Sequence, residues 1–315
     1  MGTDLDPGIP RRARFATATA AAATRSVYTP AHRADKTTQI VFQSLLLLAL
    51  GLALLGLSAI LIWALVEGVP RMSWSLFTNG PSTVRPESAG YRPAILGSLY
   101  VISGVIFLII PIGVGAALYL EQYADKTRLV NRVIELNIQN LAGVPSIVFG
   151  ILGLGFFVRG PLSLGFVAAV GSLTLALLVL PTIILASREA IRAVPSSISD
   201  GSLALGATQW QTIRNQVLPY AMPGILTGII LSVARAIGEA APLLLVGAVT
   251  FVTFDPSFFN GGYSTLPVMI FQYAGRPQAS FRELAAAGII VMLIFVLFMN
   301  GYAVWLRNRY ENKIG

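Results

Sequence analysis

Arg235 and Glu239 stand inside an otherwise apolar stretch, Ala221 to Phe251. Four residues apart, they share one helical face, about 40° from each other around the axis. A charge at membrane depth costs roughly 2.5–3.5 kcal/mol to insert on translocon scales. Chains keep that cost where the charge faces a protein-lined path, a partner helix or an opposite charge. A guanidinium presents a fork of donors that matches oxyanions, and it stays ionised in a low dielectric. The chemistry these two residues could do is therefore reversible anion handling, with no bond made or broken. Glu239 would repel an anion, so its expected role is to pair with Arg235 at rest, or to accept a hydrogen bond from a protonated oxyanion. A purely structural ion pair is the alternative. Pro242 follows Gly238 by four residues and deprives the Gly238 carbonyl of its helical partner, so a backbone break is expected beside the pair. Irregular backbone at that depth is tolerated where it is buried or lines a cavity.

The elements that carry this pair must be membrane helices. The chain has 315 residues, of which 55% are hydrophobic and 11% charged, against about 25% charged in a soluble domain. Without cysteine, it offers no disulfide, thiolate metal site or cysteine nucleophile. The single histidine, His32, lies in a polar N-terminal region, which argues against histidine-based metal sites and triads. None of the three lysines, Lys36, Lys126 and Lys313, follows a glycine, so a Walker A loop is absent. Any ATP and magnesium would be bound by a separate ATPase subunit; this chain is expected to bind no cofactor or metal itself. It reads as a transport protein rather than an enzyme.

Six apolar segments are readable: Ile40–Val66, Ile95–Tyr119, Ile138–Val158, Leu164–Ala186, Ala221–Phe251 and Leu284–Leu306. Each can cross a hydrocarbon core of about 30 Å at 1.5 Å per residue. With the N-terminus inside, the inner segments carry fifteen of the 22 Lys and Arg, the outer loops six, and Arg235 is the last. The positive-inside rule then places both termini in the cytoplasm. The net charge of +8 marks orientation and gives no reason to expect nucleic acid. The organisation expected is a basic, disordered tail over 1–39, a first span over 40–66, an outer loop over 67–94, a core of spans over 95–306, and a cytoplasmic end over 307–315. Arg11 and Arg12 read as part of the basic tail, not as an export signal.

Between spans two and three, Glu121 to Glu135 alternates acids and bases with Leu129, Val130, Val133 and Ile134, as a short interfacial helix would. Pro145 should kink the third span. Gly143, Ser146, Gly150, Gly153 and Gly155, and the pair Gly224 and Gly228, read as small residues for close helix packing. The inner segment 187–219 is the longest, and it is helical in pattern. Pro195-Ser196-Ser197 opens a helix, Leu203, Ala204 and Leu205 form an apolar face, and Gly206 interrupts. Trp210, Ile213 and Val217 then recur at helical spacing, and Leu218-Pro219 is expected to end the run.

Asp200-Gly201-Ser202, three residues, Gly206, nine residues and then Gln216-Val217-Leu218-Pro219 resembles the EAA loop of ABC importer permeases. In that family the loop is the coupling helix docked on the ATPase. Gly206, Leu218 and Pro219 fit the pattern and Asp200 keeps its acid, whereas Gly201, Ser202 and Gln216 depart from it. Three further blocks are similar to the PstA permeases of phosphate importers. They are Tyr119–Ala124, Asn140–Gly150, and Ala234-Arg235-Ala236-Ile237-Gly238-Glu239-Ala240-Ala241-Pro242-Leu243-Leu244. The resemblance runs from about Ile95 to the last span. It implies an all-α, six-span, type I ABC importer permease in a bacterial inner membrane. The implied partners are a related second permease, two ATPase subunits and an external phosphate-binding protein, with the bilayer around them. On this resemblance Arg235 and Glu239 line the substrate pathway, Gly238 and Pro242 break the helix beside it, and Asp200, Gly201, Ser202, Leu205, Gly206, Leu218 and Pro219 form the coupling loop. Other expectations are a permease for a different oxyanion or small solute, or an ion-coupled secondary transporter, although no convincing inverted repeat is visible.

Overall fold

The computed structural model describes residues 36–248 and 252–311. The expected tail therefore lies outside the described residues except for its last four, which open the first helix. Among the described residues every regular element is helical. The main ones are α1 (Lys36–Gly68), α2 (Arg92–Leu118), α3 (Leu129–Ala142), α4 (Ser146–Gly153), α5 (Ala168–Arg192), α6 (Ser196–Ala204), α7 (Leu218–Gly238), α8 (Ala241–Leu245), α9 (Leu266–Ala274) and α10 (Ala279–Glu311), with single helical turns at Ser75–Thr78 and Gln209–Thr212. Single π turns extend α2 (Tyr119–Tyr123) and α4 (Leu154–Val158), and a third (Ile213–Val217) leads into α7. Among the described residues five helices are long and apolar enough to cross a membrane, and α3 with α4 and its π turn forms a sixth candidate that is bent by 107°. Helix α1 is apolar on all sides from Leu45 to Val66, as a membrane span is and a surface helix is not.

Over residues 62–311 the bundle is organised on α5. This helix is buried on most sides because α2, α3, α4 and α7 all pack against it. An all-round apolar sequence is what such a position demands. The central core joins Val101, Val105 and Ile109 of α2 to Leu175, Val179 and Ile183 of α5 and to Val233 and Ile237 of α7. Glycines set the spacing. Gly104 meets Ser172, Gly113 meets Ile183, and Gly224 and Gly228 meet Ala190 and Ala186, so a β-carbon at any of them would collide. The small-residue pairs expected from sequence thus pack as proposed, as do Gly150 against Pro242 and Gly153 against Thr174. Gly143 and Gly155 do not share in this; neither faces a close neighbour on another element. A smaller core at one end gathers Tyr91, Leu266, Met269, Tyr273, Phe281 and Leu284, with the Tyr91 hydroxyl donating to Leu284 O at 2.9 Å.

Five expected boundaries move. Residues 138–142 belong to the amphipathic α3, not to a span, because Pro145 drives Val144 out of the helical region and starts a new helix. Helix α5 begins at Ala168 and runs on to Arg192, so Ser187 and Arg188 are helical and not loop. Leu218-Pro219 does not end a helix. Leu218 N donates to Ile213 O in the π turn, and Pro219 sits in the first turn of α7, where its missing N–H does no harm. The stretch 221–251 is not one span either, since α7 stops at Gly238 and α8 follows a break. The last helix starts at Ala279 and extends to Glu311, beyond both limits read from hydropathy.

Candidate substrate and coupling sites

Arg235 lies in the last turn of α7, about 25 Å along the axis from Leu218. A cation there is favoured by the helix macrodipole. Glu239 is the C-cap, with extended backbone (φ −80°, ψ 118°). The pair therefore stands where α7 ends inside the apolar stretch, and not within one continuous helix. The expected break is present, but its form differs: Glu239 ends α7, and Pro242 sits in the first turn of α8, a position proline suits. Pro242 is buried beneath Gly150 of α4, while Gly238 is exposed with open space beside it.

Arg235 Nε and Glu239 Oε1 are 3.5 Å apart, a single long contact. The side chains are 45% and 19% exposed. Among the described residues the terminal Nη groups of Arg235 meet no acceptor. Its neighbours Val233, Ala236 and Ile237 turn into the core, whereas Leu231, Arg235 and Gly238 are exposed along one side of α7. The guanidinium thus points away from its own chain's core, with its donor fork available.

The coupling residues lie at the other end of α7. Helix α6 carries Asp200, Gly201 and Ser202, and its C-cap, Leu205, is 91% exposed. Gly206 adopts φ +87°, a left-handed conformation that side chains with a β-carbon resist. It reverses the chain into a turn that Thr208 caps: the Thr208 hydroxyl accepts from Gln211 N while the Gln211 side chain accepts from Thr208 N. Ser202 Oγ and Thr212 Oγ1, 2.9 Å apart, fasten the two arms. An open groove of about 480 Å³ runs between them, lined by Ile198, Gly201, Ser202, Gln211 and Asn215. Leu203 and Trp210 are exposed beside it. Leu218 and Pro219 stand apart from this groove, at the start of α7. The hinge at a glycine between two helical arms is present as expected.

A second charged cluster was not legible from sequence. Arg188, which was not singled out there, is only 4% exposed and lies between Glu121 and Glu135. The one available signal was that Arg188 and Arg192 close an apolar helix opposite the acids of 121–135. Outside the spans, Asp125 Oδ1 accepts from the Thr127 hydroxyl at 2.6 Å and its amide at 2.9 Å, and these bonds hold its carboxyl below the ordinary value.

The described residues form a helical bundle with an exposed two-armed segment before α7 and a broken, charged helix end after it. Residues 109–312 match the family of binding-protein-dependent transport system inner membrane components, and the chain belongs to it. It is a multi-pass permease of the ABC importer kind. Within the family it is 35% identical over 257 residues to a phosphate transport system permease protein PstA 1 of Mycobacterium tuberculosis, covering 78% of this chain and 81% of that one. It is 33% identical over 264 residues to PstA of Haemophilus influenzae, with 83% and 90% covered. A probable ABC transporter permease, YqgI of Bacillus subtilis, is 30% identical over 282 residues, covering 84% of this chain and 94% of that relative. The fold is that of a solved bacterial alginate ABC transporter chain, with a TM-score of 0.60 at 14% identity over 87% of this chain and 97% of that one. That likeness concerns fold alone.

Proposed function

We propose that this chain is the permease subunit of an ATP-driven importer of inorganic phosphate. The observation that carries the reading is Arg235: a permanent cation at the end of an apolar helix, half-exposed, with its donor fork free and turned from its own core. The similarity to PstA permeases supports phosphate as the cargo. The exposed side of α7 is assigned to a related second permease, so that Arg235 and Glu239 border a path between the two chains. Glu239 pairs weakly with Arg235 at rest and keeps the guanidinium from holding phosphate too long. The break at Gly238–Pro242 lets that corner change shape. At the opposite end Asp200, Gly201, Ser202, Leu205 and Gly206, with Leu218 and Pro219 at the start of α7, form the segment that meets an ATPase subunit. That subunit and its twin bind the ATP and magnesium, and an external phosphate-binding protein delivers the cargo. Both termini are assigned to the cytoplasm.

The test is uptake of radiolabelled phosphate by the reconstituted complex, with and without the ATPase subunits, in wild type and Arg235→Gln. Uptake should require ATP and fall about a hundredfold in the variant, the loss expected when a charged ligand's hydrogen-bonded partner is removed. Normal phosphate uptake by an assembled Arg235→Gln complex removes the pathway role. Uptake without the ATPase makes the chain a secondary carrier, and transport of sulfate in preference to phosphate reassigns the cargo.

A further inference from the structure

The acids and bases of 121–135 converge on the end of α5. Arg188 Nη2 donates to Glu135 Oε1 at 2.8 Å and Nε to Glu121 Oε2 at 3.4 Å. Arg192 donates to both oxygens of Glu121, at 3.2 and 3.1 Å, and to Glu189 at 3.1 Å. Lys126 Nζ reaches Glu121 Oε1 at 3.0 Å. The Glu121 side chain is nearly as buried as that of Arg188. Beside this cluster, Gln209 Nε2 donates to Gln122 O at 2.8 Å. Four segments therefore meet at one point: the π turn that ends α2, the amphipathic α3, the end of α5 and the lead-in to α7.

A buried ion pair of this kind gives little net stability over apolar side chains of the same volume. What it does give is a fixed geometry among the segments that carry the charges. Two of the three π turns, 119–123 and 213–217, border this meeting point, and such turns interrupt helices most often at functional places. Helix α3 presents Leu129, Val130, Val133 and Leu136 to its surroundings, and its main packing partner in the chain is α5. Without Glu135 on Arg188 it would keep the apolar contacts but lose its charged tether.

We propose that Arg188 is the positioning residue of a coupling joint, which holds α3 and the 209–217 arm as one body. Displacement of the arm by the ATPase then carries α3 and the end of α2 with it. This rests on the reading that 196–217 meets an ATPase, and the test separates the two. Because the chain has no cysteine, Leu129→Cys and Arg214→Cys give one clean pair of spin labels. In the assembled complex the label separation should be the same without nucleotide and with ATP trapped. Arg188→Gln should broaden the distribution and make it shift with nucleotide. Glu135→Gln, which replaces a partly exposed carboxylate by a neutral amide and leaves Arg188 on Glu121, should do the same if the first variant fails to fold. In both, phosphate uptake per ATP should fall about tenfold with hydrolysis retained, the size of an ordinary coupling free energy. A static brace would lower uptake, hydrolysis and abundance in parallel. A wild-type distance that itself changes with nucleotide, or variants with the wild-type distribution, overturns the joint. Failure of the wild-type chain to bind an ATPase overturns the docking reading, and the joint with it. Wild-type complexes that hydrolyse ATP without moving phosphate overturn only the cargo.

Discussion

Two arginines in different parts of the bundle solve the problem of a charge near the membrane differently. Arg188 is enclosed by its own chain and bonded to two carboxylates, one of which also holds Arg192 and Lys126. Arg235 is half-exposed and meets Glu239 through one contact of 3.5 Å. The first arrangement commits the guanidinium, through Nε and Nη2, to fixing helices together. The second leaves donors free, which is what a transient ligand needs. A charge satisfied within its chain holds structure; one left partly unsatisfied is available to another molecule.

The contrast can be broken by measuring stability and transport on the same variants. Arg188→Leu should destabilise the detergent-solubilised permease by about 2 kcal/mol, since it removes charged hydrogen bonds to Glu135 and to Glu121, although Glu121 keeps Arg192 and Lys126. Arg235→Leu should change stability by less than about 1 kcal/mol, because it loses only a weak, half-exposed pair. Thermal unfolding followed by fluorescence checks both, and equal losses would erase the distinction. Next in size, Gly206→Val should strain the reversal between α6 and the 209–217 arm by roughly 1–2 kcal/mol. It should suppress ATP-driven uptake while leaving membrane abundance unchanged, read by transport and immunoblot together; wild-type uptake would show that the arms need no fixed hinge. The smallest effect concerns Asp125. Its carboxyl titrates below the unfolded value of about 3.9, so its contribution to folding is present above that pH and is lost as pH falls through the depressed value. Amide exchange at Thr127 should quicken only in that acid range, and Asp125→Asn should abolish the dependence.

The comparison also shows which charges the chain announces. Arg235 is conspicuous because nothing ionised precedes it for some twenty residues, as Arg214 is the nearest. Its partner at i+4 follows from helical geometry alone. Arg188 is inconspicuous because it stands at the end of a span, where basic residues are common and normally solvated. Its partners Glu121 and Glu135 lie 67 and 53 residues earlier, beyond any periodicity. Proline was only half informative. Pro145 and Pro242 were read as disturbances within spans, yet each opens a new helix, and Pro219 sits in the first turn of α7 where a helix end was expected.

Composition and hydropathy alone determined that the chain is a polytopic helical membrane protein, because burying backbone in lipid leaves few other solutions. Local spacing determined the glycine hinge at Gly206 and the Arg235–Glu239 pair, since both depend on neighbours within a turn or two. Tertiary structure decided where the helices stop, that 138–158 divides into a surface helix and a short inserted one, and that α5 is the axis of the bundle. It also decided which face of α7 is left open and which arginine is enclosed. Those outcomes depend on contacts between residues far apart in the chain, which leave no regular trace along it.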